Sequence, residues 1–509
     1  MRRAFTSIAA AAVHSESAAE APGKLAKVIW RAAKGNVRDD KLWDKLTQRA
    51  MVLVGHMTPT EVVSILYSYS RLKYKDFKLL EELNPLILKH LGDFTVHGLA
   101  TILAAFKKLE YRKLDTIHLI VNQFTLNKEK WTCHDIALAT NAVSWFYIYQ
   151  PEFWTLACER TCQTQGTDQF TPLGVALTVS SMARVDKRNL PALLVLARQF
   201  VHHCTNHLCS QEVLAVALNG FAKLGWNFSP EAETDILTAV LKKAHAALAL
   251  PENDRLLGRS NDTFDVQALT LTLHALVGLW SESRQISQLR LDCVTALLAL
   301  AAPLSSQRQS AVTGYQFRKL KQVNAILRGD DNWNFPSFPR ESILFLDWVK
   351  RAECKGLGRR ERPRWANEAF LLLRDSLKAR VSRSPCPYAP QAEQVVIKPV
   401  DGGSPVVLDC VGPFGYYADT TILTAASKLR HRLMRMQGSR PLIIPYFEWR
   451  ELKSDDDKTV YLYSRGRQVS KDQTDHVRAD PPFSNDKVDF SNVEISSGQA
   501  IGESFSFLD

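Results

Sequence analysis

Between His202 and Cys209 the chain reads His-His-Cys-Thr-Asn-His-Leu-Cys, which offers His202, His203, Cys204, His207 and Cys209 as zinc-ligand types within eight residues. A tetrahedral site needs converging donors, and these fall at a helix end and the turn after it, with no second pair of matching spacing. The expectation is a polar turn with packed cysteines, and neither a metal nor any other cofactor is assigned. Cys158 and Cys162, four apart on a helix, are read as packing residues as well. There is no Walker-type phosphate loop, no complete GxGxxG, no HExxH and no paired CxxC.

What remains is charge. Across 509 residues, 64 Lys and Arg against 53 Asp and Glu give a net +11, while residues 469–509 hold eight acids and three bases, so the positive excess lies upstream. Bases that neutralise phosphates release counterions, which makes a polyanion such as nucleic acid a partner to test for. At 46% hydrophobic and 23% charged, the chain has the apolar material for more than one core. No run reaches the roughly 18 apolar residues of a spanning helix, the nearest being 294–304, so membrane insertion is not expected. Nine irregularly spaced cysteines argue against a disulfide scaffold and for a reducing compartment. Met1 to Ser15 carries Arg2 and Arg3, an alanine run and no acid before Glu16, the composition of an organelle transit peptide, with mitochondrion as first choice and plastid as second.

The elements that must position these bases recur. Segments beginning at Thr58, Thr95, Thr132, Thr171 and Ser210 are spaced 37, 37, 39 and 39 residues apart and share apolar residues at offsets +4, +7 or +8, +11 and +14, as in Val62, Ile65, Leu66, Tyr69 and Leu72. A sixth copy is expected from Asp262, with Val266, Leu269, Leu273 and Leu276. Spacing of three and four is helical, and Thr or Ser supplies an N-cap. A second helical stretch follows in each unit, so every repeat is a hairpin, and hairpins that cannot bury their stripes alone must stack into an α-solenoid with a long groove. Offset +10 is small throughout (Ser68, Ala105, Ala142, Ser181, Gly220, Thr272), which suits close approach of neighbouring first helices.

Offset +13 is Arg71, Lys108, Trp145, Arg184 and Lys223, with Lys73, Lys75, Arg112, Lys113, Lys187 and Arg188 just beyond. Stacking would align these into a basic column along one edge of the groove, a track for RNA phosphates; complementing the helix macrodipole is the simpler use of such bases. Offset +9 (Tyr67, Ala104, Asn141, Ser180, Asn219) varies as base-contacting positions do. Further on, residues 350–383 hold eleven bases and four acids, with Arg359, Arg360 and Arg364 beside Trp365, a composition able to hold a single strand by charge and stacking.

After Pro385, Pro387 and Pro390 the period changes to short β-type runs around a basic helix expected over 420–436 that carries Lys428, Arg430, Arg432 and Arg435. The segment Val406-Val-Leu-Asp-Cys-Val-Gly-Pro-Phe-Gly-Tyr-Tyr417, the helix Ala426-Ser-Lys-Leu-Arg-His-Arg-Leu-Met434 and Leu442-Ile-Ile-Pro-Tyr-Phe-Glu-Trp449 resemble the RAP domain, over about residues 395–466. The upstream repeats resemble the octotricopeptide or heptatricopeptide arrays that precede RAP domains in organellar proteins. The resemblance implies a fold similar to PD-(D/E)XK nucleases and work on organellar RNA: processing, stability or translation of transcripts, or holding rRNA in a mitochondrial ribosome or its assembly beside other proteins of a ribonucleoprotein complex. Hydrolysis in that fold needs clustered carboxylates on Mg²⁺. Asp409 stands where the family usually has Glu, the usual Asp before Gly-Pro is Val411, and Gly415 replaces a polar residue that is often His. Only Asp409 and Glu448 are left for catalysis, so an RNA binder is expected ahead of an endoribonuclease or a protein-only scaffold.

The expected architecture is mostly α: a leader over 1–40, a helical-repeat solenoid over 41–328, a helical basic linker over 329–391, a RAP-like α/β domain over 392–468 and an acidic, disordered tail over 469–509.

Overall fold

The computed structural model describes residues 22–164, 169–250, 263–279, 287–305, 312–352, 364–386, 389–398 and 403–471. Helical hairpins run from Pro22 to Arg351. Their regularity comes from both ends of each first helix. The hydroxyls of Thr95, Thr132, Thr171 and Ser210 accept from the amide three residues on, at 3.0, 3.2, 3.1 and 3.3 Å, satisfying a donor the helix leaves orphaned. Thr58 and Thr132 are answered by carboxylates, Glu61 taking the Thr58 amide at 2.7 Å and Asp135 the Thr132 amide at 3.2 Å. At offset +15 the chain passes through the left-handed region at Lys73, Glu110, Tyr147, Asp186 and Gly225, with φ from 54 to 64°, which ends one helix and turns toward the next.

The same turn at Asn36, with φ 50°, exposes a repeat ahead of the first. Helix Pro22–Lys34 buries Leu25, Ala26, Ile29, Ala32 and Ala33 beside the first helix of repeat one, Pro59–Leu72, and is paired with helix Asp40–Leu53. The solenoid therefore begins inside the segment expected as leader; residues 1–21 lie outside the described residues. The helix of the sixth copy is capped by Asp265, whose carboxylate takes the Ala268 amide at 2.5 Å; Asp262, expected as its start, lies outside the described residues. In this register Ala275, not Thr272, takes the small +10 position. A seventh unit opens at Thr313, boxed with Gln316, over helix Gly314–Gly329 and is completed by Arg340–Arg351.

First helices pack on first helices and second on second. Offset +10 sets the approach: a Cβ on Gly220 would stand 2.7 Å from Val179 Cγ1 and 3.1 Å from the Ser180 amide. The stretch Gln288–Ser305 is long and apolar enough to cross a membrane. Here its Cys293, Val294, Leu297 and Leu298 are buried in the solenoid core, and its Arg290 makes a buried ion pair with Glu233.

The C-terminal unit is a four-stranded sheet in the order β1 (Arg380–Cys386), β2 (Ala389–Lys398), β3 (Val406–Val411) and β4 (Arg440–Pro445). β1/β2 and β2/β3 are antiparallel, and β3/β4 are parallel, joined by helix Ala425–Met436. That helix starts five residues later than expected, at its Thr424 cap. The α/β domain also begins earlier than expected: helix Arg364–Asp375 contributes Ala369, Phe370, Leu372 and Leu373 to the sheet's own core, and the proline-marked stretch is the β1–β2 hairpin, not a linker. Pro385 is tolerated there because β1 is an edge strand. Helix Asp455–Lys471 closes the same core with Leu462; the acidic tail beyond 471 lies outside the described residues.

Candidate nucleic-acid interface

Offset +13 splits into two environments. In the front of the solenoid Arg71 and Lys108 are exposed, and the added N-terminal repeat contributes Lys34 at the same offset. The +9 residues of the first two helices are aromatic, Trp30 at 40% and Tyr67 at 41% exposure. One helical turn on, Lys34 lies over the Trp30 ring at 4.9 Å and Arg71 reaches the Tyr67 hydroxyl at 3.5 Å. Arg112 lies over the Trp145 ring at 4.4 Å. At Trp30 and Trp145 the cation lies over the ring and at Tyr67 it meets the hydroxyl, so each site puts an aromatic ring and a cation together, the two groups that single-strand binding combines. Trp30 and Lys34 were missed because their unit opens at Pro22 with no hydroxyl cap before it; the 37-residue period carried one step upstream would have found them.

Not every base of the column is available. Lys75 is bound to Glu110 at 2.6 Å and Lys113 to Glu81 at 3.2 Å. Lys73 occupies the left-handed turn and is exposed. Lys107 gives its ammonium to Asn141 Oδ1 at 3.2 Å, and burial, then the Arg184 and Lys108 charges, bring its pKa down to about 7.

In the back, the same edge is occupied by the C-terminal domain, which corrects the expectation of an unbroken RNA track. Asp419 meets Lys187 at 2.9 Å and Tyr149 beside it. The Ala418 amide donates to the Asp186 carbonyl at 2.9 Å, and the Tyr417 hydroxyl to the Lys223 carbonyl at 2.8 Å. Arg188 gives its Nε to the Leu224 carbonyl at 2.9 Å and lies over the Tyr417 ring. Gly278, at +13 of repeat six, faces Leu429, to whose Cδ2 an added Cβ would come within 3.5 Å. Arg432, expected on RNA, instead pairs with Asp330, the C-cap of repeat seven's first helix. Arg184 is half-buried and bonds Ser144 Oγ at 2.7 Å, and Lys223 is half-buried as well. Burial lowers the pKa of both. Burial also raises the Asp186 carboxyl to about 7, against the pull of Lys223.

Offset +9 is likewise divided. In the back Asn219, His274 and Gln322, from repeats five to seven, are linked through Lys319 and are not free to touch bases. Of the remaining bases, Lys428 and Arg364 are exposed on their helices, while Arg359 and Arg360 lie outside the described residues.

The two carboxylates a nuclease would need are both held by neighbours. Asp409 is 8% exposed and receives His431 Nε2 at 2.6 Å and Arg430 at 2.8 Å. Burial pushes its carboxyl up, but the His431 hydrogen bond and the Arg430 charge outweigh that and hold it below the ordinary value. Glu448 is bound by the Tyr461 hydroxyl at 2.5 Å and by Arg465. Val411 is buried, and a Cβ on Gly415 would stand 2.2 Å from its Cγ1. The two departures from the RAP pattern thus fit each other, an apolar side chain filling the room the glycine leaves. Among the described residues no group of three or more His, Cys, Asp or Glu side chains is placed to hold a metal ion. The His/Cys stretch is divided accordingly: His203 Nε2 bonds the Phe170 carbonyl at 2.8 Å, His207 meets Lys242 at 3.1 Å, and Cys204 and Cys209 are buried.

Residues 408–465 match the RAP domain family. The chain carries a RAP domain. Residues 3–226, less than half of the sequence, match the family described as RESC6, RNA-editing substrate-binding complex 6 protein, a stretch that holds Trp30, Lys34, Tyr67, Arg71, Lys108, Arg112 and Trp145. No curated protein matches the chain. Helical repeats followed by a RAP domain are thus present in one molecule, both matches support an RNA-binding role, and the front ladder falls wholly within the upstream match while the dock joins that match, at Tyr149, Asp186, Lys187 and Lys223, to the RAP domain at Tyr417 to Asp419.

Proposed function

We propose that this chain holds RNA substrates for a mitochondrial RNA-processing assembly, with its front repeats on the RNA and its RAP domain locked to the rear. The observation that carries this reading is the ladder of aromatic and cationic pairs, exposed at Trp30 with Lys34 and at Tyr67 with Arg71, and half-buried at Trp145 beside the exposed Arg112. It lies within the residues similar to an RNA-editing substrate-binding complex protein, which favours transcript processing, with messenger RNA as ligand and other proteins of that complex as partners. The same ladder would serve on rRNA in a mitochondrial ribosome or its assembly, the other role implied by the RAP domain. Arg2 and Arg3 with the acid-free stretch to Ser15 support the organelle.

The test is crosslinking in intact mitochondria with sequencing of the recovered RNA, comparing wild type with Lys34→Glu/Arg71→Glu/Lys108→Glu. Discrete transcript segments that disappear in the variant are expected. Recovery at background from both proteins would overturn the reading in favour of a protein-only scaffold, and discrete rRNA segments would move it to the ribosome.

A further inference from the structure

We propose that the floor of the groove where repeats four to seven meet is a phosphoryl-binding site. Lys319 meets His274 there at 3.3 Å, Arg318 lies with Lys319 over the Tyr315 ring, and the charge of Lys223, itself acted on by Arg184, bears on Lys319 and His274. Among the charged groups of the described residues that act on Arg184, Lys223, His274 and Lys319, Asp186 is the one carboxylate.

Lys319 is the centre of the argument. It is 4% exposed, and among the described residues its Nζ hydrogen-bonds to neutral atoms, Asn219 Oδ1 at 3.4 Å and His274 Nδ1 at 3.3 Å. An ammonium that has found its anion sits at about 2.7–2.9 Å. To accept from Lys319, His274 must be neutral with its proton on Nε2, which donates to Gln322 Oε1 at 2.9 Å. Arg318 and Lys319 both lie over the Tyr315 ring, at 5.3 and 5.1 Å, so the two cationic heads are held side by side. Burial and the neighbouring Lys223 and Arg318 charges oppose protonation of Lys319.

A buried lysine among other cations is costly, and Met or Leu of similar size would pack there at less cost. A phosphoryl dianion reverses the sign of that interaction, accepting several charge-assisted hydrogen bonds at once from donors already in place. Arg184, Lys223 and Arg318 are only half-buried. Along the +13 column this floor comes after the exposed front repeats, so the terminal phosphate of a bound RNA strand and a free phosphorylated ligand are the two sources of the same chemistry. Only the choice of the RNA end as source rests on the RNA-binding reading.

The experiment titrates the full chain with pyrophosphate, and separately with potassium chloride at equal ionic strength, following thermal unfolding in wild type, Lys319→Met and Arg318→Gln. In parallel, one oligoribonucleotide is titrated with and without a terminal phosphate. Pyrophosphate is expected to raise the wild-type midpoint by several degrees beyond matched salt. Lys319→Met is expected to unfold at a higher temperature than wild type without ligand and to lose the response, whereas a merely structural lysine would lower the midpoint. Arg318→Gln, at a half-exposed position, tests the response with little risk to folding. An end-phosphorylated strand binding about tenfold tighter than its hydroxyl twin, with the gap closing in Lys319→Met, identifies the RNA end as source. Equal binding of the two strands beside a clear pyrophosphate response identifies a free ligand. Pyrophosphate no better than matched salt, or a response that survives both substitutions, overturns the site. Because that response is read without RNA, its failure and the failure of RNA binding are separate results.

Discussion

The front and the back of the solenoid use one sequence offset in opposite ways. At +13, Lys34, Arg71 and Lys108 face water, while Arg184 and Lys223 are half-buried along an edge that Tyr417, Ala418 and Asp419 cover. At +9 the front shows Trp30 and Tyr67, and the back ties Asn219 and His274 to Lys319. The helix gives these positions the same direction in every repeat; what packs against them decides whether they serve as a binding surface or as a floor. A repeat offset is therefore a statement about geometry, and availability has to be read separately.

The comparison can be broken most severely from the RAP side. Asp409→Ala leaves His431 buried and Arg430 without its carboxylate, a loss of about 3–5 kcal/mol, to be read as a lower unfolding temperature. The expected accompaniment is protease cleavage within the RAP domain and repeats four to seven, with RNA affinity of the front repeats retained. An unchanged midpoint would mean that the Asp409 clamp does not hold the domain.

Next in size is charge reversal in the front. Lys34→Glu/Arg71→Glu/Lys108→Glu is expected to weaken RNA binding by about 100-fold at low salt and to flatten the plot of log affinity against log salt by about 2, at roughly 0.7 per phosphate contact. Circular dichroism should be unchanged. Arg184→Glu/Lys223→Glu should instead lower the unfolding temperature, and the same slope change without loss of stability would erase the distinction between front and back.

Smaller again, Trp30→Ala or Tyr67→Ala should each cost about 1–3 kcal/mol of RNA affinity, with the salt slope unchanged, because stacking releases no counterions. Arg112→Ala would sharpen this by freeing the Trp145 face without removing it.

The smallest effect is expected at the dock. Asp419 is half-exposed, so after screening Asp419→Ala should cost under about 1 kcal/mol. Burial raises its carboxyl, but the hydrogen bonds from Lys187 and Tyr149 hold it below its ordinary value. A depressed carboxyl stabilises above the unfolded value of about 4 and loses that contribution as pH falls through the folded value. The difference between wild type and Asp419→Ala should therefore stay constant from neutral pH to about 4 and vanish below it, as measured by thermal unfolding.

Much of the fold was legible because it is local. Thr58, Thr95, Thr132, Thr171 and Ser210 cap the helices they were expected to cap, since a hydroxyl before a 3.6-residue stripe is a short-range signal. The repeat at Pro22 and the register of the sixth copy were misread where the cap was absent or was a second acid three residues on. The β1–β2 hairpin was read as a boundary because proline marks edge strands and linkers alike. The dock was not legible at all: Asp419 and Tyr149 are 270 residues apart, and nothing near either announces the other. Half of the candidate site was therefore assigned from spacing alone to a surface the RAP domain already covers.

The covered edge also limits how much the chain can distinguish. Were each of the about four repeats left open by the closed rear to read one base, such a track would match by chance on the order of once in every 256 nucleotides of random sequence. A typical transcript holds several such matches. Selecting one address among them would then require a second reader on the same RNA, whose linkage to this chain would multiply the two weak preferences into one choice.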